Sequence, residues 1–88
     1  MTLLFILSSL IATIFLIWFN SDFIIEYGNK LVAVEVKMAD KVKYDDLKNI
    51  RIFIEEYPET IAGLIIYTGS ELKYMDKKIM AVPISNIL

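Results

Sequence analysis

The sequence predicts an α/β fold: a small mixed sheet, built from a β-hairpin, a helical crossover and a parallel strand, preceded by an apolar N-terminal helix. Three observations predict it. Residues 1–19 contain no charged side chain. A Gly-Asn pair then separates two runs rich in Val and Ile, which is typical of a hairpin. Finally, an amphipathic stretch lies between the second run and a third, fully apolar run, and this order is typical of a crossover.

Composition restricts the size and the chemistry of the protein. The chain has 88 residues, enough for one small domain, and 57 % of them are hydrophobic; ordinary soluble domains have about 45–50 %. The net charge is −2, and no broad basic face is evident, which argues against unaided electrostatic binding of nucleic acid. The chain has no Cys and no His, which excludes disulfides, thiol nucleophiles and zinc fingers. Any metal would be a hard, oxygen-bound ion such as Mg²⁺.

The first segment, residues 1–19, reads "MTLLFILSSLIATIFLIWF". Its length matches the roughly 20 residues of a transmembrane helix, and Trp18 and Phe19 suit a membrane interface. No Lys or Arg precedes the apolar run, which argues against a cleaved signal peptide. The lysines that follow favour a single-pass membrane protein with its C-terminal body, residues 20–88, in the cytoplasm. The alternative is a core helix plus strand of a larger or dimeric fold, in a cytoplasmic protein.

The hairpin is predicted to consist of strands Asp22–Tyr27 and Lys30–Lys37. The loop between them is Gly28 and Asn29, two residue types that tolerate positive φ. With a two-residue loop, the numbers of cross-strand partners sum to 57.

This register places Asp22 directly opposite Glu35, with Lys37 on the same face. Opposed carboxylates repel, yet their Cβ atoms would lie about 4.5–5.5 Å apart, a separation that a divalent cation bridges. The pattern therefore predicts a Mg²⁺ site with Asp22 and Glu35 as ligands and Lys37 beside the attacking water, as metal-dependent phosphodiester hydrolysis requires. The alternative is a solvent-facing polar face on which Lys37 offsets the acids.

The remaining elements follow in order. The stretch "DDLKNIRIFIEEYPE" predicts a helix with Asp45 as its N-cap and Pro58 as its end. The run "IAGLIIYTG" predicts a central strand, parallel to strand Lys30–Lys37 because a helix connects the two. A short "LKYM" strand and a final "IMAVPI" strand complete the sheet.

Several blocks of residues 21–88 resemble one family: "DFIIE", "AVEVK", "DLKNIRIFIEEYPE", "GLIIYTG" and "MAVPISNIL", in the same order. The family is the C-terminal domain, of unknown function, of prokaryotic AAA-type ATPases, and that domain is similar to a PD-(D/E)XK nuclease. The resemblance implies a restriction-endonuclease-like fold. It also implies that Asp22 is the motif aspartate, Glu35 the (D/E) residue and Lys37 the lysine.

The chain also departs from that family. It has no GK[ST] phosphate-binding loop, and its leader has no carboxylate where the family's first helix often has one. The resemblance therefore implies a truncated or decayed remnant whose ancestral chemistry is Mg²⁺-dependent phosphodiester cleavage. Expected partners are the membrane through residues 1–19, nucleic acid, and a protein that completes the fold. The alternative function is a non-enzymatic binding module.

Overall fold

A computed structural model describes residues 12–17 and 22–88 of the chain. It is a mixed α/β structure in which six strands form one sheet, in the order β1-β2-β3-β4-β6-β5. The strands are β1 (Ala12–Ile17), β2 (Asp22–Tyr27), β3 (Lys30–Lys37), β4 (Thr60–Tyr67), β5 (Lys73–Tyr74) and β6 (Ile79–Pro83). A 3₁₀ turn (Tyr44–Leu47) and helix α1 (Lys48–Glu56) connect β3 to β4, and a second 3₁₀ turn (Ile84–Asn86) follows β6.

Part of the apolar leader is a strand. Residues 12–17 pair antiparallel with β2, from Ala12 opposite Tyr27 to Ile17 opposite Asp22. The prediction of a continuous helix over residues 1–19 is therefore wrong for these six residues; residues 1–11 and 18–19 lie outside the described residues. The physical reason is that β2 has a second hydrogen-bonding edge, and the β-branched and aromatic residues of "ATIFLI" suit a strand. Over the described ranges, no helix has the length and apolarity needed to cross a membrane, and the membrane location stays a prediction.

The hairpin has the predicted bounds and the predicted register. Strands β2 and β3 are antiparallel, with pairs running from Tyr27 opposite Lys30 to Phe23 opposite Val34, so that partner numbers sum to 57. Gly28 has a φ of 62°, a left-handed conformation that costs a residue with a Cβ atom free energy. The two-residue turn sets the register of the hairpin, and the register determines which residues of β3 face the helix.

The crossover also has the predicted topology. Strand β4 is parallel to β3 on one side and to β6 on the other. The start of the helix differs from the prediction, because Asp45 lies inside the 3₁₀ turn rather than at an N-cap. Instead, the Asp46 carboxylate accepts a hydrogen bond of 2.7 Å from the Lys43 backbone N–H. Helix α1 ends at Glu56, before Pro58, as the sequence indicates.

Both faces of the sheet contain buried apolar side chains. Helix α1 covers one face, where Leu47, Ile65 and Ala81 are completely buried. Gly63 of β4 allows the helix to approach closely, since a Cβ atom there would lie 2.4 Å from Cγ2 of Ile50. The opposite face is centred on Val34 and Ile66, with Ile84 and Ile87 packed against them. The alternation along β3 places Ala33 and Glu35 on the helix side.

Substitution of Gly28 tests whether the hairpin turn depends on a left-handed backbone conformation. Gly28→Ala is expected to lower the free energy of unfolding by about 1–2 kcal/mol, because Ala is disfavoured at positive φ. The loss is conformational, since nothing lies within 4 Å of a Cβ atom at this position. Gly28→Asn, which tolerates the left-handed region, is expected to lose clearly less in urea denaturation. Equal losses for the two variants would contradict this account of the turn.

Candidate functional site

Glu35 lies near the carboxyl end of β3, on the face that α1 covers. Glu35 is only 8 % exposed. Its register partner in β4 is Ile65, which is also buried. Burying a carboxylate costs free energy unless other groups compensate for the lost hydration. The prediction of a solvent-facing polar face is therefore wrong for Glu35. A buried carboxylate at this position is compatible with a role in a functional site and with a role in the stability of the fold.

Asp22 is the first residue of β2. Continuing the β2–β3 register by one residue beyond the Phe23–Val34 pair brings Asp22 level with Glu35. On its other side Asp22 pairs with Ile17 of β1. The side chain of Asp22 lies outside the described part of the structure, so the pair of metal ligands stays a prediction.

Lys37 lies on the same face of β3 as Glu35, two residues further along, opposite Tyr67 of β4. Its ammonium group forms an ion pair with the Asp46 carboxylate, and the two side chains are 26 % and 23 % exposed. The hydrogen bond from Lys37, followed by that from the Lys43 backbone, lowers the pKa of Asp46 below its ordinary value of 3.8. The sequence did not indicate this pair, because no local spacing rule relates residue 37 to residue 46.

A cleft of about 340 Å³ lies at the carboxyl end of β4, where Tyr67, the register partner of Lys37, forms part of its lining. Its charged lining consists of Lys41, Lys43, Lys73, Asp40 and Glu71. The Tyr67 hydroxyl organises one wall: it donates a hydrogen bond of 2.5 Å to the Glu71 carbonyl and accepts one of 3.2 Å from the Glu71 N–H. Carboxyl ends of parallel strands are where open α/β sheets bind ligands. Glu35 and Lys37 are not among the described residues that line this cleft.

Across residues 12–17 and 22–88, no group of three acidic side chains that could hold a metal ion is present. Mg²⁺ commonly binds through one or two carboxylates and keeps several of its waters. The Mg²⁺ site expected from Asp22 and Glu35 stays a prediction.

Comparison with known proteins gives a family match over most of the chain. The family model described as "Domain of unknown function (DUF4143)" matches residues 20–87. No match was found among curated proteins or among solved structures.

The Lys37–Asp46 pair predicts a specific dependence of stability on pH. Because folding lowers the pKa of Asp46, the pair stabilises the fold above the ordinary carboxyl pKa, and this contribution disappears as the pH falls through the lowered value. Asp46→Asn is expected to be about 1 kcal/mol less stable than wild type at pH 7 in urea denaturation. The difference should shrink toward pH 3. Asp45→Asn, at an exposed neighbouring position, is the control; an equal loss in both variants would contradict the role of the pair.

Proposed function

Because the chain belongs to the DUF4143 family, a family defined by a domain of unknown function, we propose its activity from the site: metal-dependent phosphodiester hydrolysis by a nuclease-like domain. The observation that carries the proposal is the hairpin register. It brings the backbone of Asp22 level with Glu35 when continued by one residue, and the alternation of β3 places Lys37 on the face of Glu35. Metal-dependent phosphodiester hydrolysis needs two carboxylates to hold the metal ion and a lysine beside the attacking water, and Asp22, Glu35 and Lys37 would supply these groups.

Each residue has a distinct role in this proposal. Asp22 and Glu35 would hold Mg²⁺, which when bound polarises a phosphoryl oxygen and acidifies a water. Glu35 is 8 % exposed, so little bulk water would compete for a cation bound there. Lys37 has three N–H donors, and the pair with Asp46 uses one of them. The others would orient the attacking water or stabilise the charge that develops on the phosphate.

Asp46 is a positioning residue here. Its carboxylate is fixed by the Lys43 backbone N–H at 2.7 Å and in turn holds the Lys37 ammonium near the end of β3. The cleft at the carboxyl end of β4 would accept flanking phosphates of a nucleic acid, because Lys41, Lys43 and Lys73 line it and phosphate contacts orient such substrates.

A second candidate function is a non-enzymatic module that a partner protein completes, such as the ATPase of the resembled family. The Lys37–Asp46 pair favours it, because it links β3 to the 3₁₀ turn and gives Lys37 a structural role without any substrate. In this case Lys37→Met would reduce stability and change nothing in metal binding.

Metal titration and plasmid nicking with the full chain distinguish the two candidates. We expect Mg²⁺-dependent nicking of supercoiled plasmid by the wild type. Glu35→Gln and Asp22→Asn should each abolish nicking and weaken Mg²⁺ binding by at least about tenfold, because changes even to groups behind the ligands cost that much. Glu55→Gln, at an exposed position on α1, is the matched control and should retain both properties.

Circular dichroism identifies variants that remain folded. A folded Glu35→Gln protein with unchanged Mg²⁺ affinity would contradict the metal site. Mg²⁺ binding without nicking by the wild type would favour the non-enzymatic module.

A further inference from the structure

The sheet has two outer edges, and they differ in length and in charge. Among the described residues, no strand pairs with the outer edge of β1 or of β5, which are the first and the last strand in the order. Strand β5 has two residues, Lys73 and Tyr74, so its edge is short and carries a charge. Strand β1 has six residues, "ATIFLI", and none of them is charged or Pro. Because short strands, Lys and Pro are the features that prevent edges from pairing between chains, only the β5 edge is protected by these means.

The hairpin register decides which residues of β1 direct their backbone groups outward. The residue after a two-residue loop donates a hydrogen bond to the residue before it, so Tyr27, paired with Lys30, directs its N–H and C=O towards β3. Neighbouring residues of a strand direct these groups to opposite sides. Glu26 therefore directs its groups towards β1, where its partner is Thr13. By the same alternation, three residues of β1 direct their N–H and C=O groups to the outer edge: Ala12, Ile14 and Leu16.

The three outward residues match the same three residues of a second copy of the chain. In an antiparallel pair with two-fold symmetry, two residues exchange hydrogen bonds only if both direct their backbone groups across the junction. With the two-fold axis at Ile14, that residue pairs with Ile14 of the second copy, and Ala12 pairs with Leu16 of the second copy. This register forms about six backbone hydrogen bonds, two for each of the three pairs. A shift by two residues in either direction leaves only two such pairs within the strand.

The residue types of β1 also suit a junction between two copies. In this register Thr13 lies opposite Phe15 of the second copy, and pairs of an aromatic and a β-branched residue stabilise sheets. No like charges meet along the junction, since residues 12–17 are uncharged. An edge without charges offers no ion pair to a strand that carries acidic or basic residues, so a second copy of β1 fits this edge better than a charged segment of another protein does.

We propose that two copies of this chain pair through the outer edges of β1, antiparallel and with Ile14 on the two-fold axis. The two six-stranded sheets then join into one continuous sheet, with the two β1 strands at its centre and the short, charged β5 edges at its ends. The proposal rests on the backbone register of β1, β2 and β3, and it is independent of the metal site and of the proposed hydrolysis.

Proline substitution at two neighbouring positions of the full chain tests the pairing. Ile14→Pro removes an outward N–H that β2 does not use, and an edge strand tolerates proline where its N–H faces away from the sheet. In sedimentation equilibrium the wild type is expected to be a dimer, and Ile14→Pro a monomer with the circular dichroism of the wild type. Phe15→Pro is the control: it removes an N–H that bonds to β2, so it should lower the urea midpoint clearly more than Ile14→Pro does. A wild type that is monomeric at every concentration, or an Ile14→Pro dimer as stable as that of the wild type, would overturn the proposal.

Disulfide cross-linking covers the case in which Ile14→Pro does not fold, and the chain has no Cys that would give a background. Ile14→Cys is expected to form a covalent dimer under mild oxidation, because the Cα atoms of a hydrogen-bonded pair lie about 5.5 Å apart and disulfides join Cα atoms about 4.4–6.8 Å apart. Thr13→Cys is the matched control, since its two copies would lie two residues out of level, with Cα atoms roughly 8 Å apart, beyond the reach of a disulfide. Equal cross-linking of the two variants, or none of Ile14→Cys, would contradict the register and overturn the proposal.

Discussion

The register of the β2–β3 hairpin is the constraint on which the rest of the structure depends. Gly28 adopts a φ of 62° in the two-residue loop, and every later pair of the hairpin follows from that turn. A slip of one residue would move Glu35 and Lys37 to the face opposite α1 and bring Val34 under the helix. The core under α1, the level of the acidic residues and the position of the lysine all result from one turn geometry.

The carboxyl end of β3 contains residues that stabilise the fold and residues that we propose for catalysis. Glu35 is buried, and the ammonium group of Lys37 forms an ion pair with the carboxylate of Asp46. This ion pair links the strand to the start of the crossover, so the residues proposed for catalysis also hold the domain together. The ammonium group has Asp46 as a structural partner and retains further N–H donors, which the proposed hydrolysis would use.

A sheet with three parallel strands at its centre requires cover on both faces. Helix α1 supplies one layer and approaches closely because Gly63 has no side chain. The opposite face is also apolar, with Val34 and Ile66 at its centre. Residues 12–17 of the apolar leader belong to the sheet as its edge strand β1.

The sequence by itself determined the features that arise from neighbouring residues: the hairpin bounds, its register, the amphipathic crossover and the parallel pairing of β3 with β4. These features depend on the residue types of the turn and on the spacing of apolar residues along the strands and the helix, and both can be read from a single sequence. Only the tertiary structure decided that residues 12–17 form a strand, that Glu35 is buried, and that Lys37 pairs with Asp46. An apolar run is compatible with a helix or a strand, and the free edge of β2 decides for a strand here because it offers hydrogen-bonding partners. An ion pair between residues 37 and 46 forms only when the chain folds back on itself.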